Sequence, residues 1–146
     1  MFRGHQRRFW EYVAPMTSSS SSSKTAAPLT FEAFWRWLQD HRNCLLRVGS
    51  ADVVLMDNEM LHWDFFEEDD GSAVVQAILG KSLVGEVIIE RSDILFVQSA
   101  PDLEQPGSQA WTFECLGGSR EESYPLFSFL MTHSMEGAQG HQVLKH

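Results

Sequence analysis

The stretch that decides the fold is LHWDFFEEDDGSAVVQAILG, residues 61–80, in which two apolar runs flank an acidic, glycine-containing segment. Successive side chains of a strand point to opposite faces, and an Asp-Gly pair between two such runs is a strong hairpin signal. We therefore predict a β-hairpin with Asp70 and Gly71 as its two-residue turn. This turn sets Asp69 opposite Ser72.

The register of this hairpin bears on whether His62 and Asp64 form a metal or acid-base site. The predicted ladder gives each face of the hairpin its own set of side chains: His62 and Asp64 with Leu79 and Ala77, and Trp63 and Phe65 with Ile78 and Gln76. No second histidine or carboxylate lies directly across from the first pair. A metal bound by His62 and Asp64 would therefore need a third ligand from a distant segment, such as His41, Glu86 or His133. We expect no bound cofactor and keep the metal site as an alternative.

The tip of the hairpin is acidic, because it comprises Glu67, Glu68, Asp69 and Asp70. It does not fit a calcium loop, since an EF-hand alignment that matches Asp70 places Ala77 where a carboxylate is required. Two roles stay open for the tip. It either keeps a strand edge soluble, or it receives a basic segment of a partner or of the chain's own N-terminal arm.

Further short β-type runs surround the hairpin, separated by turn residues: CLLRVGS, ADVVLMD, LVGEVIIE, DILFVQS and WTFECLGG. Together they predict an antiparallel meander of five to seven strands. The first two runs are either one strand bent at Gly49 or a tight hairpin.

A helix is predicted ahead of the strands, in LTFEAFWRWLQDHRN, with Thr30 as its N-cap and Asn43 as its stop. At helical spacing one stripe carries the residues expected to face the core: Phe31, Phe34, Trp35 and Leu38. Trp37 lies roughly 60–80° off this stripe. It is therefore either a partly covered aromatic at the rim or an exposed contact residue.

A second helix is predicted in SREESYPLFSFLMTHSMEG, residues 119–137, with Ser123 as its cap, Pro125 in its first turn and Gly137 as its stop. Its residues are apolar almost all round. Such a helix is either deeply buried or shared with a partner, and Phe127 is the candidate contact residue.

These elements predict an α+β fold in one domain over residues 29–136. An N-terminal helix precedes the meander, which forms a strongly bent sheet or a small barrel, and the C-terminal helix packs on it. Residues 137–146 are expected to be a disordered tail. Residues 1–28 are expected to be a basic, aromatic arm followed by a serine-rich tether.

The arm contains Arg7, Arg8, Phe9 and Trp10, and six consecutive serines follow it. Three interpretations stay open: a terminus that is disordered or folds back on the acidic body, a docking peptide that orders on a partner, and an organellar transit segment. The chain has no long apolar run that could span a membrane. We expect a cytoplasmic protein, or an organellar one if the arm is a transit segment.

The net charge of −9 is unevenly distributed: residues 1–24 carry +3, which leaves −12 on residues 25–146. An acidic body repels phosphates, so we expect no nucleic acid to bind to it. The two cysteines have no metal-type spacing. Cys115 is expected to be buried and inert, and a reactive pair of Cys44 with His41 would need an orienting group that the sequence does not indicate.

The charge, the arm and the surplus apolar surface favour a non-catalytic protein-interaction module, such as an adaptor, a chaperone-like subunit or an inhibitor. Its partner would be a protein, with a basic surface opposite the acidic body, and self-association is a corollary. The candidate contact residues are Arg7, Arg8, Phe9, Trp10, Trp37, Glu67, Glu68, Asp69, Asp70 and Phe127. The alternative is an enzyme or ligand-binding domain whose site is assembled from dispersed residues: His62, Asp64, Glu86 and His133.

Overall fold

The computed structural model describes residues 27–104 and 109–135. Within them the chain is mostly β, with eight strands in two antiparallel sheets, one α-helix and two short 3-10 turns, Arg42–Cys44 and Arg91–Asp93. The predictions made for the arm up to residue 26 and for the tail lie outside the described residues.

The strands follow one another along the chain as β1 Leu45–Gly49, β2 Val54–Met56, β3 Leu61–Glu67, β4 Ala73–Leu79, β5 Ser82–Ile89, β6 Phe96–Pro101, β7 Trp111–Gly118 and β8 Ser123–Met131. The five-stranded sheet has the order β2, β1, β8, β7, β6, and the three-stranded sheet has the order β3, β4, β5. The first two strands form a tight hairpin in which Gly49 lies opposite Val54. The predicted α+β class, with a meander of five to seven strands in a strongly bent sheet or small barrel, is wrong, because the described residues are mostly β and their eight strands divide between two sheets that do not close.

The first helix, α1 (Phe31–Gln39), is confirmed, and the Thr30 hydroxyl caps it by accepting the backbone N–H of Ala33 at 3.1 Å. It ends before the predicted stop at Asn43. The carbonyl of Trp37 accepts a hydrogen bond from Nδ1 of His41 at 2.8 Å, which occupies one of the acceptors left over at the helix end.

The helix contributes aromatic side chains to both sheets. Phe34 is fully buried, and its ring centroid lies 5.1 Å from that of Phe113 on β7 and 5.1 Å from that of Phe129 on β8. Trp35 packs edge-on against Phe65 of β3 with centroids 5.8 Å apart. One hydrophobic core therefore joins α1 to the inner faces of the two sheets.

The predicted C-terminal helix is wrong, because its residues form β8, a strand that lies between β1 and β7. Phe129 and Met131 belong to the core, while Leu130 is buried on the opposite face of the same strand. A strand covered on both faces is apolar throughout, so its pattern cannot be told from that of a buried helix. Pro125 lies opposite Leu116, beside an irregularity in the ladder, where a missing N–H is tolerated.

The central hairpin, β3 with β4, is confirmed, but its predicted register is wrong by one residue. The N–H of Glu68 donates to the carbonyl of Ser72 at 2.9 Å, so the loop contains three residues, the last of them Gly71 with φ of 92°. A three-residue loop ending in a left-handed glycine is a common hairpin geometry. The observed pairs are His62 with Ile78, Trp63 with Ala77, Asp64 with Gln76 and Phe65 with Val75.

Candidate interaction surface

The outer face of the three-stranded sheet consists of three rows that run across β3, β4 and β5. The register aligns them as Phe66, Val74, Ile88; Asp64, Gln76, Glu86; and His62, Ile78, Leu83. We call these nine residues the outer sheet face. In the polar middle row, Nε2 of Gln76 donates to Oε1 of Glu86 at 3.1 Å. This face therefore has two rows with aliphatic side chains on either side of a row with two carboxylates, and within it Val74 is fully buried while Ile88 and Leu83 are exposed.

The strand at one edge of this face, β5, is unusually apolar. Its side chains Leu83, Val84 and Ile88 are 54%, 52% and 52% exposed. Among the described residues β5 pairs with β4 alone. Within this part of the chain no strand pairs with its outer N–H and C=O groups, and Glu86 and the irregular ladder near Gly85 are the features of β5 that oppose such pairing. We call this strand the β5 edge.

At the acidic tip, Glu67 is engaged within the protein. Its carboxylate accepts the indole N–H of Trp35 at 3.2 Å and lies 3.0 Å from the guanidinium of Arg91. Arg91 also forms an ion pair with Glu32 on α1. The hydrogen bond with Glu32 and the two negative charges raise the pKa of Arg91 above its ordinary value. Glu67 therefore ties β3 to α1, and a partner would have to compete with that contact.

The other tip residues, Glu68, Asp69 and Asp70, are exposed. The carboxylate of Asp70 accepts the backbone N–H of Ser72 at 2.9 Å, and this bond lowers the pKa of Asp70. The three side chains extend the negative charge of the outer sheet face to the end of the hairpin.

The dispersed residues of the alternative site lie on different parts of the fold. His62 is exposed on the outer sheet face, and Asp64 there lies 3.7 Å from the guanidinium of Arg42 in a half-exposed ion pair. Glu86 shares the row of Asp64 but lies two strands away. His133 follows β8, in the other sheet. Within the described ranges, no group of three or more His, Cys, Asp or Glu side chains is arranged to hold a metal ion.

Two predicted aromatic contact residues lie at or near the core. Trp37 is only 8% exposed, and its ring stacks on His41 at 4.7 Å and contacts Phe113 at 5.2 Å. Phe127, on β8, is half-buried and lines a surface groove of about 350 Å³ together with Arg47. The remaining candidates, Arg7, Arg8, Phe9 and Trp10, lie outside the described residues.

Two features escaped sequence reasoning. The first is the exposed apolar edge at β5. Its residues Val87, Ile88 and Ile89 are consecutive and apolar, which could have indicated a strand with aliphatic side chains on both faces. The second is a contact of 3.2 Å between the Cys44 sulfur and Nε2 of His133, across 89 positions of sequence. No local pattern indicates it, because the pairing of β1 with β8 creates it. Cys115 is buried as predicted, and burial raises the pKa of its thiol to about 12.

Among the described residues no helix is long and apolar enough to cross a membrane. Comparisons with protein-family models, curated proteins and solved structures found no match to this chain. A function can therefore be argued only from the chemistry of its surfaces.

Proposed function

We propose that this protein is a non-catalytic, acidic protein-interaction module whose β5 edge binds an extended segment of a protein partner. The observation that carries the proposal is the exposure of Leu83, Val84 and Ile88 on a strand with one neighbour among the described residues. Each of these aliphatic side chains is more than half exposed, and together they lie on one strand of eight residues.

Strand addition satisfies both features of this edge. An added strand takes up the unpaired N–H and C=O groups, and its side chains cover the exposed aliphatic ones. The edges of natural sheets are normally protected by charged residues, proline or a covering segment. An apolar edge of this length is a liability unless a partner covers it.

The outer sheet face determines which segment would fit. A strand added beside β5 extends the three rows, so its outward side chains would lie next to Leu83, Glu86 and Ile88. The matching segment has an apolar, a basic and an apolar residue at alternate positions. The register shift near Gly85 leaves the Leu83 row less regular than the other two.

Charge favours a different protein over a second copy of this chain. Residues 25–146 carry a net charge of −12, and β5 itself contributes Glu86, with Glu90 directly after it. A second β5 would bring further carboxylates to an acidic face, whereas a basic segment would be attracted to it.

The test is selection from a random library of seven-residue peptides against the full-length protein, followed by affinity measurement of the enriched peptides. We expect enrichment of alternating apolar, basic and apolar residues. Leu83→Asp and Ile88→Asp should each weaken binding by at least about tenfold, the effect of losing one buried aliphatic contact. Leu103→Asp is the matched control, because Leu103 is 84% exposed but lies outside β5.

A second variant, Glu86→Lys, tests the charge preference. It should change the residue preferred at the central peptide position from basic to acidic. The proposal is contradicted if no peptide pattern is enriched, or if the β5 variants bind the enriched peptides as tightly as the Leu103→Asp control does. A concentration-dependent dimer that Ile88→Asp abolishes would identify a second copy as the occupant, contrary to the charge argument.

A further inference from the structure

Cys44 lies beside the segment that follows β8. It ends the 3-10 turn Arg42–Cys44, directly before β1. Its N–H donates to the carbonyl of His41 at 2.9 Å, and its carbonyl accepts the N–H of Thr132 at 2.9 Å. The residue after Thr132 is His133, whose Nε2 lies 3.2 Å from the Cys44 sulfur. Backbone hydrogen bonds therefore hold the thiol and the imidazole next to each other.

The other ring nitrogen of His133, Nδ1, shows which group is the donor in the contact between Cys44 and Nε2. Nδ1 lies 3.0 Å from the carbonyl oxygen of Ser134. A carbonyl only accepts hydrogen bonds, so Nδ1 carries the proton, and in the neutral ring Nε2 has the lone pair. The thiol of Cys44 therefore donates to Nε2 of His133. After proton transfer the same contact joins a thiolate to an imidazolium.

Aromatic rings hold His133 in this orientation. Its ring lies edge-on to those of Trp37, at 5.9 Å, and His41, at 5.6 Å. Trp37 is also the one side chain in the described residues with a buried nitrogen that lacks a hydrogen-bond partner, its indole N–H. The cluster thus contains a base positioned on a thiol, a carbonyl that orients the base, and a buried donor with no acceptor among the described residues.

The second cysteine of the chain is in a different environment. Cys44 and His133 are partly exposed, whereas Cys115 is fully buried. Its raised pKa, about 12, keeps that thiol protonated. Cys115 can therefore serve as the unreactive control thiol within the same protein.

We propose that Cys44, with His133 as its proton acceptor, is a reactive thiol that small hydroperoxides oxidise to a sulfenic acid. Nε2 of His133 takes the thiol proton, and the thiolate sulfur attacks one oxygen of the peroxide. The S–O bond forms while the O–O bond breaks, so sulfur loses two electrons and the peroxide gains them. The leaving oxygen takes the proton back from His133 and departs as water or an alcohol.

A hydroperoxide fits this site better than an acyl substrate. Acyl transfer needs unoccupied N–H donors for the developing oxyanion. Here the backbone N–H groups of Cys44 and Thr132 already donate to the carbonyls of His41 and Cys44. The indole N–H of Trp37 is then a single donor without an acceptor among the described residues, whereas an oxyanion hole typically combines two N–H groups. Oxidation by a peroxide needs only the thiolate and a proton for the leaving oxygen. His133 forms the thiolate by accepting the thiol proton and then gives that proton to the leaving oxygen.

The experiment treats the full-length protein with hydrogen peroxide in the presence of a sulfenic-acid-specific dione probe, and peptide mass spectrometry quantifies each cysteine over time. We expect the probe on Cys44 and not on Cys115. In denaturant Cys44 loses its contact with His133 and Cys115 loses its burial. Cys44 should therefore react more slowly than in the folded protein, and Cys115 should react faster than in the folded protein. This comparison needs no variant, so it holds even if substitutions at the cluster impair folding.

The variant His133→Gln tests whether the Cys44 thiol reacts because His133 accepts its proton or only because it is exposed. Glutamine can hydrogen-bond the sulfur but cannot accept the proton. The variant should slow labelling of Cys44 at least about tenfold, since a positioned base typically contributes 10²-fold or more. Glu121→Gln is the control, because Glu121 is exposed in the turn between β7 and β8, at the end of β8 opposite His133, and the rate of this variant should stay close to that of the wild type. The proposal is overturned if folded Cys44 reacts no faster than in denaturant, or if His133→Gln leaves its rate unchanged.

Discussion

The indole N–H of Trp35 on α1 donates to the carboxylate of Glu67 at the end of β3, with 3.2 Å between the nitrogen and the oxygen. The same carboxylate pairs with Arg91 at 3.0 Å, and Arg91 reaches back to Glu32 on α1. The three-stranded sheet is thereby joined to the helix by polar contacts at the surface as well as by the core.

Replacing Glu67 by alanine should destabilise the fold by about 1–2 kcal/mol, because the variant loses a hydrogen bond to an ionised acceptor and one ion pair. The ion pair contributes the smaller share, since the Glu67 side chain is 48% exposed and solvent screens it. Denaturant unfolding followed by tryptophan fluorescence measures the change. Glu68→Ala is the matched control, and an equal effect of both variants would contradict the assigned role of Glu67.

Gly117→Ala should destabilise the protein by roughly 3 kcal/mol, at the upper end of the cost of overpacking. A Cβ there would lie 2.7 Å from the backbone oxygen of Asp93, and still closer to the Leu126 side chain. Gly85→Ala is the comparison, because its Cβ would meet only the end of the Leu55 side chain, at 2.5 Å. A side-chain end can move where a backbone oxygen cannot, so thermal unfolding should show a clearly smaller loss for Gly85→Ala.

Alkaline pH should destabilise the wild type through Cys115. The pKa of its thiol is raised by burial from 9.0 to about 12. Below pH 9.0 the thiol is neutral in both the folded and the unfolded state, so the stability of the fold is not reduced by ionisation of Cys115. As the pH rises further, the unfolded chain releases the proton while the folded chain retains it, and stability falls by about 1.4 kcal/mol per pH unit until pH reaches the folded-state pKa.

Cys115→Val keeps a side chain of similar volume and removes the ionisation. Unfolding free energies measured from about pH 8 to about pH 10 should therefore fall less steeply for this variant than for the wild type. Parallel slopes would show that the thiol ionises alike in both states, contrary to its full burial.

Acidic pH should affect the hairpin through Asp70. The hydrogen bond from the Ser72 backbone lowers the pKa of this carboxyl below 3.8 in the folded state. Its contribution to stability is therefore complete above pH 3.8 and is lost as the pH falls through the folded-state pKa. Asp70→Asn keeps an acceptor for the Ser72 N–H but does not titrate. The difference in stability between wild type and Asp70→Asn should narrow on acidification, and a constant difference would argue against this role.

Local sequence patterns were sufficient for α1, the hairpin of β3 with β4, and the acidic charge. Thr30 and the aromatic stripe act within a few residues of one another, so helix periodicity and capping predict them without knowledge of the rest of the chain. The Asp-Gly pair located the hairpin turn, but loop length depends on backbone conformation at Gly71, and the register was off by one residue.

Only the tertiary structure decided the role of residues 123–131, the division into two sheets, the exposure of β5 and the pairing of Cys44 with His133. Each depends on which distant strands come together. An apolar run becomes a central strand when it pairs on both sides, as β8 does with β1 and β7. It becomes an edge strand with exposed aliphatic side chains when, among the described residues, it pairs on one side only, as β5 does. Local periodicity shows how apolar a segment is, whereas strand pairing determines whether its apolar side chains contact the core, a neighbouring strand or solvent.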